Sequence, residues 1–134
     1  MKTNISLISG GFDPLHSGHM NYFRDAYNYG DIVVLLNSDD WLIKKKGRPF
    51  MPWTERASIV KEIKGVIRVL TFDDLEGNAI KGIQKALSYY SLPEYNVSWL
   101  NGGDRTKETT PEVEWCEDNG VNCIFGVGGT KTQS

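Results

Sequence analysis

Apolar and polar positions along the 134-residue chain switch repeatedly between two periods. Asn4–Ser9 (NISLIS) reads as a strand, and Gly18–Tyr29 places Met20, Phe23 and Ala26–Tyr27 on one helical face. Ile32–Asn37 (IVVLLN) is an unbroken apolar run, the pattern of a strand covered on both sides. Thr54–Ile63 reads as a helix and Val66–Phe72 as a strand. Asn78–Tyr90 carries Ile80, Ile83, Leu87 and Tyr90 along one stripe of a helix. Val97–Asn101 is a strand, Pro111–Asn119 a helix opened by proline, and Asn122–Val127 a strand. Between Asp39 and Pro52 the chain is polar and holds Lys44-Lys45-Lys46-Gly47-Arg48-Pro49, which predicts a loop or a short helix.

Five strands separated by helices predict an α/β fold: a Rossmann-like, parallel five-stranded sheet with helices on both faces. Right-handed crossovers then bring every strand-to-helix loop to the carboxyl edge of the sheet, where ligands bind in this fold class. No repeat, linker or low-complexity run interrupts the pattern, so residues 1–134 form one domain.

Composition narrows the function classes. Hydrophobic residues are 40% and charged residues 24%, ordinary for a globular chain. The formal net charge of −2 gives no global attraction to nucleic acid or to anionic lipid, and no nucleic-acid-reading motif is present. No apolar run approaches the ~20 residues that span a bilayer, and Met1–Ser6 lacks the apolar core of a secretion signal. A cytoplasmic protein is expected. Cys116 and Cys123 then read as two buried free thiols. The tryptophans Trp41, Trp53, Trp99 and Trp115 read as core or interface residues.

The loop after the first strand carries the most chemistry. It runs Gly10-Gly11-Phe12-Asp13-Pro14-Leu15-His16-Ser17-Gly18-His19 and contains both histidines of the chain. A helix start offers unpaired N–H groups and the positive end of the helix dipole, which suits a phosphate. Gly10 and Gly11 would let a ligand approach the backbone, and Gly18 would let both imidazoles face one surface. An imidazole can donate to a phosphoryl oxygen or carry charge near neutral pH. The bland alternative is a histidine that merely caps the helix.

Gly10, Phe12, Asp13, His16, Gly18 and His19 match without departure the G-x-F-D-x-x-H-x-G-H signature (the HxGH motif) of the cytidylyltransferase-like nucleotidyltransferases, which this chain closely resembles. Asn37-Ser38-Asp39, then Lys46-Gly47, Arg48-Pro49, Pro52 and Arg56, and later Gly102-Gly103-Asp104, follow in an order similar to the sugar-phosphate adenylyltransferase branch. That branch often has two more residues between the Lys-Gly and Arg-Pro pairs. The resemblance implies that a phosphate oxygen of a small phosphorylated acceptor attacks the α-phosphorus of CTP or ATP in line, and that pyrophosphate leaves. It gives His16 and His19 the role of donors to the α- and β-phosphates, and Lys46 a place beside them. Main-chain N–H groups near Gly11 and Phe12 would hold the α-phosphate, with Gly10, Asp13 and Gly18 in the same nucleotide-binding loop. Asp13 would fix that loop or the hydration shell of Mg²⁺, the implied cofactor, held mainly by phosphates.

For the acceptor, Lys44, Arg56 and Arg105 are the candidates, an arginine fork suiting a terminal phosphate. A solvated lysine run is the alternative for Lys44–Lys46. Gly103 and Asp104 would lie beside base and ribose. Thr130 and Thr132, with Ser134 and Lys131, loosely resemble the Ser/Thr-rich turn that holds the β- and γ-phosphates in many relatives; a helix is expected to begin where the sequence stops, so the native chain is expected to continue past Ser134, and Gly128-Gly129 to stay loose until triphosphate binds. A homodimer across the second-loop region is implied by the resemblance alone.

Length is similar to that of glycerol-3-phosphate cytidylyltransferase-like domains and favours CTP. The Lys-Gly/Arg-Pro and Gly-Gly-Asp texts resemble the heptose-1-phosphate adenylyltransferase branch and favour ATP. No side chain decides the base. CMP transfer stands first, AMP transfer to a sugar phosphate second, and a non-catalytic nucleotide-binding domain third.

Overall fold

In the computed structural model the described residues are 2–102 and 110–129. They form β1 (Thr3–Gly10), α1 (Ser17–Tyr27), β2 (Asp31–Leu36), α2 (Asp39–Lys46), α3 (Trp53–Val60), β3 (Val66–Leu70), α4 (Ile80–Tyr89), β4 (Tyr95–Gly102), α5 (Pro111–Asn119) and β5 (Asn122–Val127). The strands make one sheet in the order β3-β2-β1-β4-β5, and every neighbouring pair is parallel. The order reverses between β1 and β4, which opens a crevice at their carboxyl ends.

Two apolar cores lie on opposite faces of the sheet. Side chains alternate along each strand, so Leu7, Val33, Leu35, Val97 and Trp99 feed one core, with Ile83 and Ala86 of α4 and Cys116 of α5. Ile8, Val34, Leu36 and Leu100 feed the other, with Phe23 and Ala26 of α1 and Val60 of α3. The doubly covered sheet read from the sequence is therefore present. Trp99 is core; Trp41, Trp53 and Trp115 are half-buried. Cys116 is a buried thiol, and burial pushes its pKa up; Cys123 is half-buried, and neither cysteine is in a disulfide. Among the described residues no helix is long and apolar enough to cross a membrane.

Differences from the sequence reading fall at element ends. Of the loop or short helix expected after β2, the short helix is present as α2, where Ser38 Oγ accepts from the Trp41 N–H and caps it. It stops at Gly47, whose φ of 97° ends the turn. β3 ends at Leu70 and α4 starts at Ile80, so the loop between them is longer than the apolar pattern suggested.

Candidate active site at the carboxyl edge

His16 is the N-cap of α1, and its Nδ1 accepts from the Gly18 N–H at 3.1 Å. His19, at position N3, uses its own Nδ1 to accept from the His16 N–H at 3.1 Å. The pair forms a reciprocal capping box in which imidazoles replace the usual hydroxyl and carboxylate. The rings stack, with centroids 3.9 Å apart and planes 27° apart. A Cβ at Gly18 would sit 3.0 Å from the His16 ring, so glycine is what lets the ring fold back over the helix start. The capping reading is thus met by the Nδ1 atoms alone, and the Nε2 atoms take no part in it.

That division fixes the tautomer. An imidazole nitrogen that accepts carries no proton, so the neutral rings hold theirs on Nε2. For His19, burial and then the neighbouring His16 charge lower the pKa from the ordinary 6.5 to about 4. Of the two alternatives, donor or charge carrier, the shift favours the first: at neutral pH His19 is uncharged. Stability follows the same shift. Between pH 6.5 and about 4 the unfolded chain binds a proton at His19 that the folded chain refuses. Folding stability is therefore expected to fall as pH drops through that window, by up to about 3 kcal/mol. Urea titrations at pH 7 and pH 4.5 on the wild type and His19→Gln check this, since the variant should lose that component of the slope.

Phe12 takes the left-handed conformation (φ 46°) and buries its ring edge-on against His19, 5.0 Å between centroids. No hydrogen bond among the described residues takes the N–H of Gly11 or Phe12. The structure corrects the role of the two glycines before it. A Cβ at Gly10 would lie 2.9 Å from the Phe12 ring, and one at Gly11 would lie 2.9 Å from Leu42. Their empty space is filled by the protein's own side chains rather than left for a ligand.

Asp13 resolves its two alternatives as a loop anchor. Its Oδ1 accepts from the Met51 N–H at 2.7 Å, and its Oδ2 from the Phe50 N–H and the Lys46 ammonium, the latter at 2.8 Å. Burial alone would raise its pKa, and these partners outweigh burial and hold the carboxyl below its usual range. Both oxygens are engaged and the side chain is 1% exposed, so Asp13 serves as the anchor of its loop; among the described residues no group of three or more His, Cys, Asp or Glu could hold a metal ion.

Lys46 also donates to the Asp13 carbonyl at 2.7 Å. Two of its three ammonium hydrogens are thereby used and one remains, on a side chain 37% exposed. Lys44 and Lys45 occupy a different face of α2. Lys45 lies over the Trp41 ring, 4.6 Å from its centroid, and both lysines border an open groove with Asp74 and Leu75.

Arg56 is where the structure departs most from the sequence reading. Its side chain is fully buried. Nη1 donates to the Gly11 and Asn37 carbonyls at 3.0 and 2.8 Å, Nε to the Met51 carbonyl at 3.0 Å, and Nη2 to Asp39 Oδ1 at 2.6 Å. The guanidinium is spent on three backbone segments, so Arg56 is a structural pin and not an open fork for the acceptor. Asp74, which the sequence reading missed, does the same for the next loop. It accepts from Asn37 Nδ2, the Ser38 N–H and Ser38 Oγ at 3.0, 2.8 and 2.6 Å. The available signal was an acidic pair, Asp73-Asp74, directly after the third strand.

Gly128 donates its N–H to Asp25 Oδ2 at 2.7 Å, and Gly129 donates to the Gly126 carbonyl, so the glycine pair is held rather than loose. Gly103, Asp104, Arg105, Thr130 and Thr132, with Lys131 and Ser134, lie outside the described residues.

Residues 7–123 match the family described as cytidylyltransferase-like. The chain is 41% identical over 134 residues to the "Bifunctional protein HldE" of Geobacter metallireducens, covering 96% of this chain and 25% of that protein. It is 34% identical over 98 residues to an ethanolamine-phosphate cytidylyltransferase of Arabidopsis thaliana, covering 72% of this chain and 22% of that one. The chain thus spans about a quarter of these curated relatives. Among solved structures, the lipopolysaccharide core biosynthesis protein of Thermoplasma volcanium superposes with a TM-score of 0.68 at 19% identity, over 92% of this chain and 95% of that one, and so shares the fold.

Proposed function

Because the chain belongs to the cytidylyltransferase-like family, we propose that it transfers a nucleotidyl group, CMP or AMP, from a nucleoside triphosphate to a small phosphorylated acceptor. The observation that carries the reading is the stacked histidine pair, whose Nδ1 atoms are consumed by the helix cap and whose Nε2–H groups remain to donate. An acceptor phosphate oxygen forms a bond to the α-phosphorus while the bond to the bridging α–β oxygen breaks, and pyrophosphate leaves with that electron pair. Negative charge grows on the α-phosphoryl oxygens and on the leaving group. Neutral donors fixed in place before the reaction stabilise that charge without reorganising.

The two imidazoles, the Gly11 and Phe12 N–H groups and the remaining Lys46 hydrogen would supply those donors. Their shared support is the loop that Asp13, Lys46 and Arg56 tie down. Mg²⁺, carried on the triphosphate, would offset phosphate charge. No side-chain cage for it exists among the described residues. A homodimer across the second-loop region belongs to the same reading, and Ile43 and Phe50 are exposed there.

Pyrophosphate release tests the proposal, with four triphosphates and Mg²⁺ set against a panel of phosphorylated sugars and alcohols. Acceptor-dependent release is expected with CTP or ATP, and none with any pair would defeat it. Lys46→Ala is expected to lower kcat/KM at least ~10-fold, because it removes both a donor and the clamp on Asp13. Lys44→Ala and Lys45→Ala should stay within about threefold. Equal, small effects at all three positions would mark the run as a solvated surface.

A further inference from the structure

The helix cap holds each imidazole at one atom only. His16 Nδ1 accepts from the Gly18 N–H, and His19 Nδ1 from the His16 N–H. A single hydrogen bond anchors a ring without aiming it, and a preorganised donor must be aimed. His16 is exposed and His19 only half-buried, so burial alone does not aim them. Each ring needs a second contact. For His16 that contact is the stack on His19, 3.9 Å between centroids. For His19 it is the Phe12 ring, 5.0 Å away with the planes at 84°.

Phe12 is itself firmly seated. Its ring is 6% exposed and leans on Phe23, 5.2 Å between centroids with planes 48° apart. Phe23 is a core residue of α1 and follows His19 by four positions, so the two lie one turn apart on one face of that helix. The Phe12 ring meets both, and so extends the rigid core outward to the imidazole. The backbone adds a second, independent sign. At φ 46° Phe12 lies in the left-handed region, where glycine is at ease and a bulky residue is strained. Glycine would make this turn with less strain, so what phenylalanine adds here is its ring. Gly10 completes the seat. The three atoms nearest to a Cβ at Gly10 would all belong to the Phe12 ring, at 2.9, 3.0 and 3.3 Å.

We infer that Phe12 is a positioning residue, whose ring holds His19, and through the stack His16, in the alignment their Nε2–H donors need for phosphoryl transfer. Support runs from Phe23 through Phe12 and His19 to the exposed His16. The inference rests on the reading of the two histidines as donors in nucleotidyl transfer. It concerns the Phe12 ring, which is separate from the Phe12 N–H already placed beside the phosphates.

Phe12→Leu tests it, since leucine keeps an apolar residue in the core and removes the ring. An NMR titration of the histidine rings in the full chain needs no substrate. Burial of His19 is the first cause of its low pKa of about 4. The variant opens the Phe12 side of the imidazole to water and should raise that pKa by about one pH unit. The second readout is pyrophosphate release with the triphosphate and acceptor that the panel identifies. There kcat should fall ~10-fold or more while KM for the triphosphate stays within about threefold, because the buried ring supports a donor and is out of a ligand's reach. Gly10→Ala probes the same relay with the ring retained, and serves if Phe12→Leu does not fold. Its Cβ must displace the ring tip, so both readouts should move in the same direction. The double variant has no ring tip to displace and should match Phe12→Leu within about twofold in kcat. An unchanged His19 titration in both single variants would overturn the inference and mark Phe12 as core filling only. So would additive losses in the double variant. Shifted titrations without pyrophosphate release from any pair would sink the proposed reaction and leave the relay standing. Release with unshifted titrations would do the reverse.

Discussion

Replacing either imidazole is expected to lower turnover at least ~10²-fold, the order seen when one preorganised donor to developing charge is removed. Alanine is a poor test by itself, because it also deletes half of the capping box and costs about 1 kcal/mol of stability. The box suggests cleaner variants. His16→Asn puts a strong N-cap acceptor where His16 Nδ1 now accepts from Gly18. His19→Gln puts a regular N3 partner where His19 now accepts from the His16 N–H. Both keep the cap and delete the Nε2–H donor. Turnover should fall as far as in the alanine variants, while the urea midpoint at pH 7 stays near that of the wild type. If His16→Asn or His19→Gln kept wild-type kcat, the histidines would be caps and nothing more.

Arg56→Ala should be the most destabilising single change in the carboxyl-edge loops. It removes a fully buried guanidinium and strands three backbone carbonyls and Asp39 together. Breaking a buried charged network on one side costs about 3–5 kcal/mol, a large share of the roughly 5–15 kcal/mol that holds a domain folded. Arg56→Lys should recover little, since one ammonium cannot reach three diverging segments. Urea unfolding gives the measure. A loss below about 1 kcal/mol, with a raised KM for the acceptor, would return Arg56 to the substrate-binding role its spacing first suggested.

The contrast between His16 and Arg56 shows what a sequence reveals about this fold. The unbroken apolar run was enough to place β2, which buries every residue after Asp31, and the opening proline was enough to place the start of α5. The histidine loop was legible because glycines and imidazoles cluster at one predicted strand-to-helix junction. Arg56 was not. An arginine on a helix four residues past a proline looks the same whether it faces solvent or the carbonyls of Gly11 and Asn37, 45 and 19 positions away. Long-range backbone partners leave no local periodicity. Gly10 and Gly11 were misread for a related reason, since a missing side chain does not say who fills its space.

Asp13 holds Phe50 and Met51 by their main-chain N–H groups and not by their side chains, and Arg56 holds the Met51 carbonyl from the other end. The shape of the first loop is therefore blind to the identity of residues 50 and 51 and sensitive to the count of residues between 51 and 56. A library randomised at those two positions, proline excluded, should keep the loop's shape. A single insertion between Met51 and Arg56 should not, whereas one at Gly47–Arg48, ahead of the pinned pair, can bulge outward. Descendants of this sequence can drift freely in composition along that stretch while its spacing stays frozen.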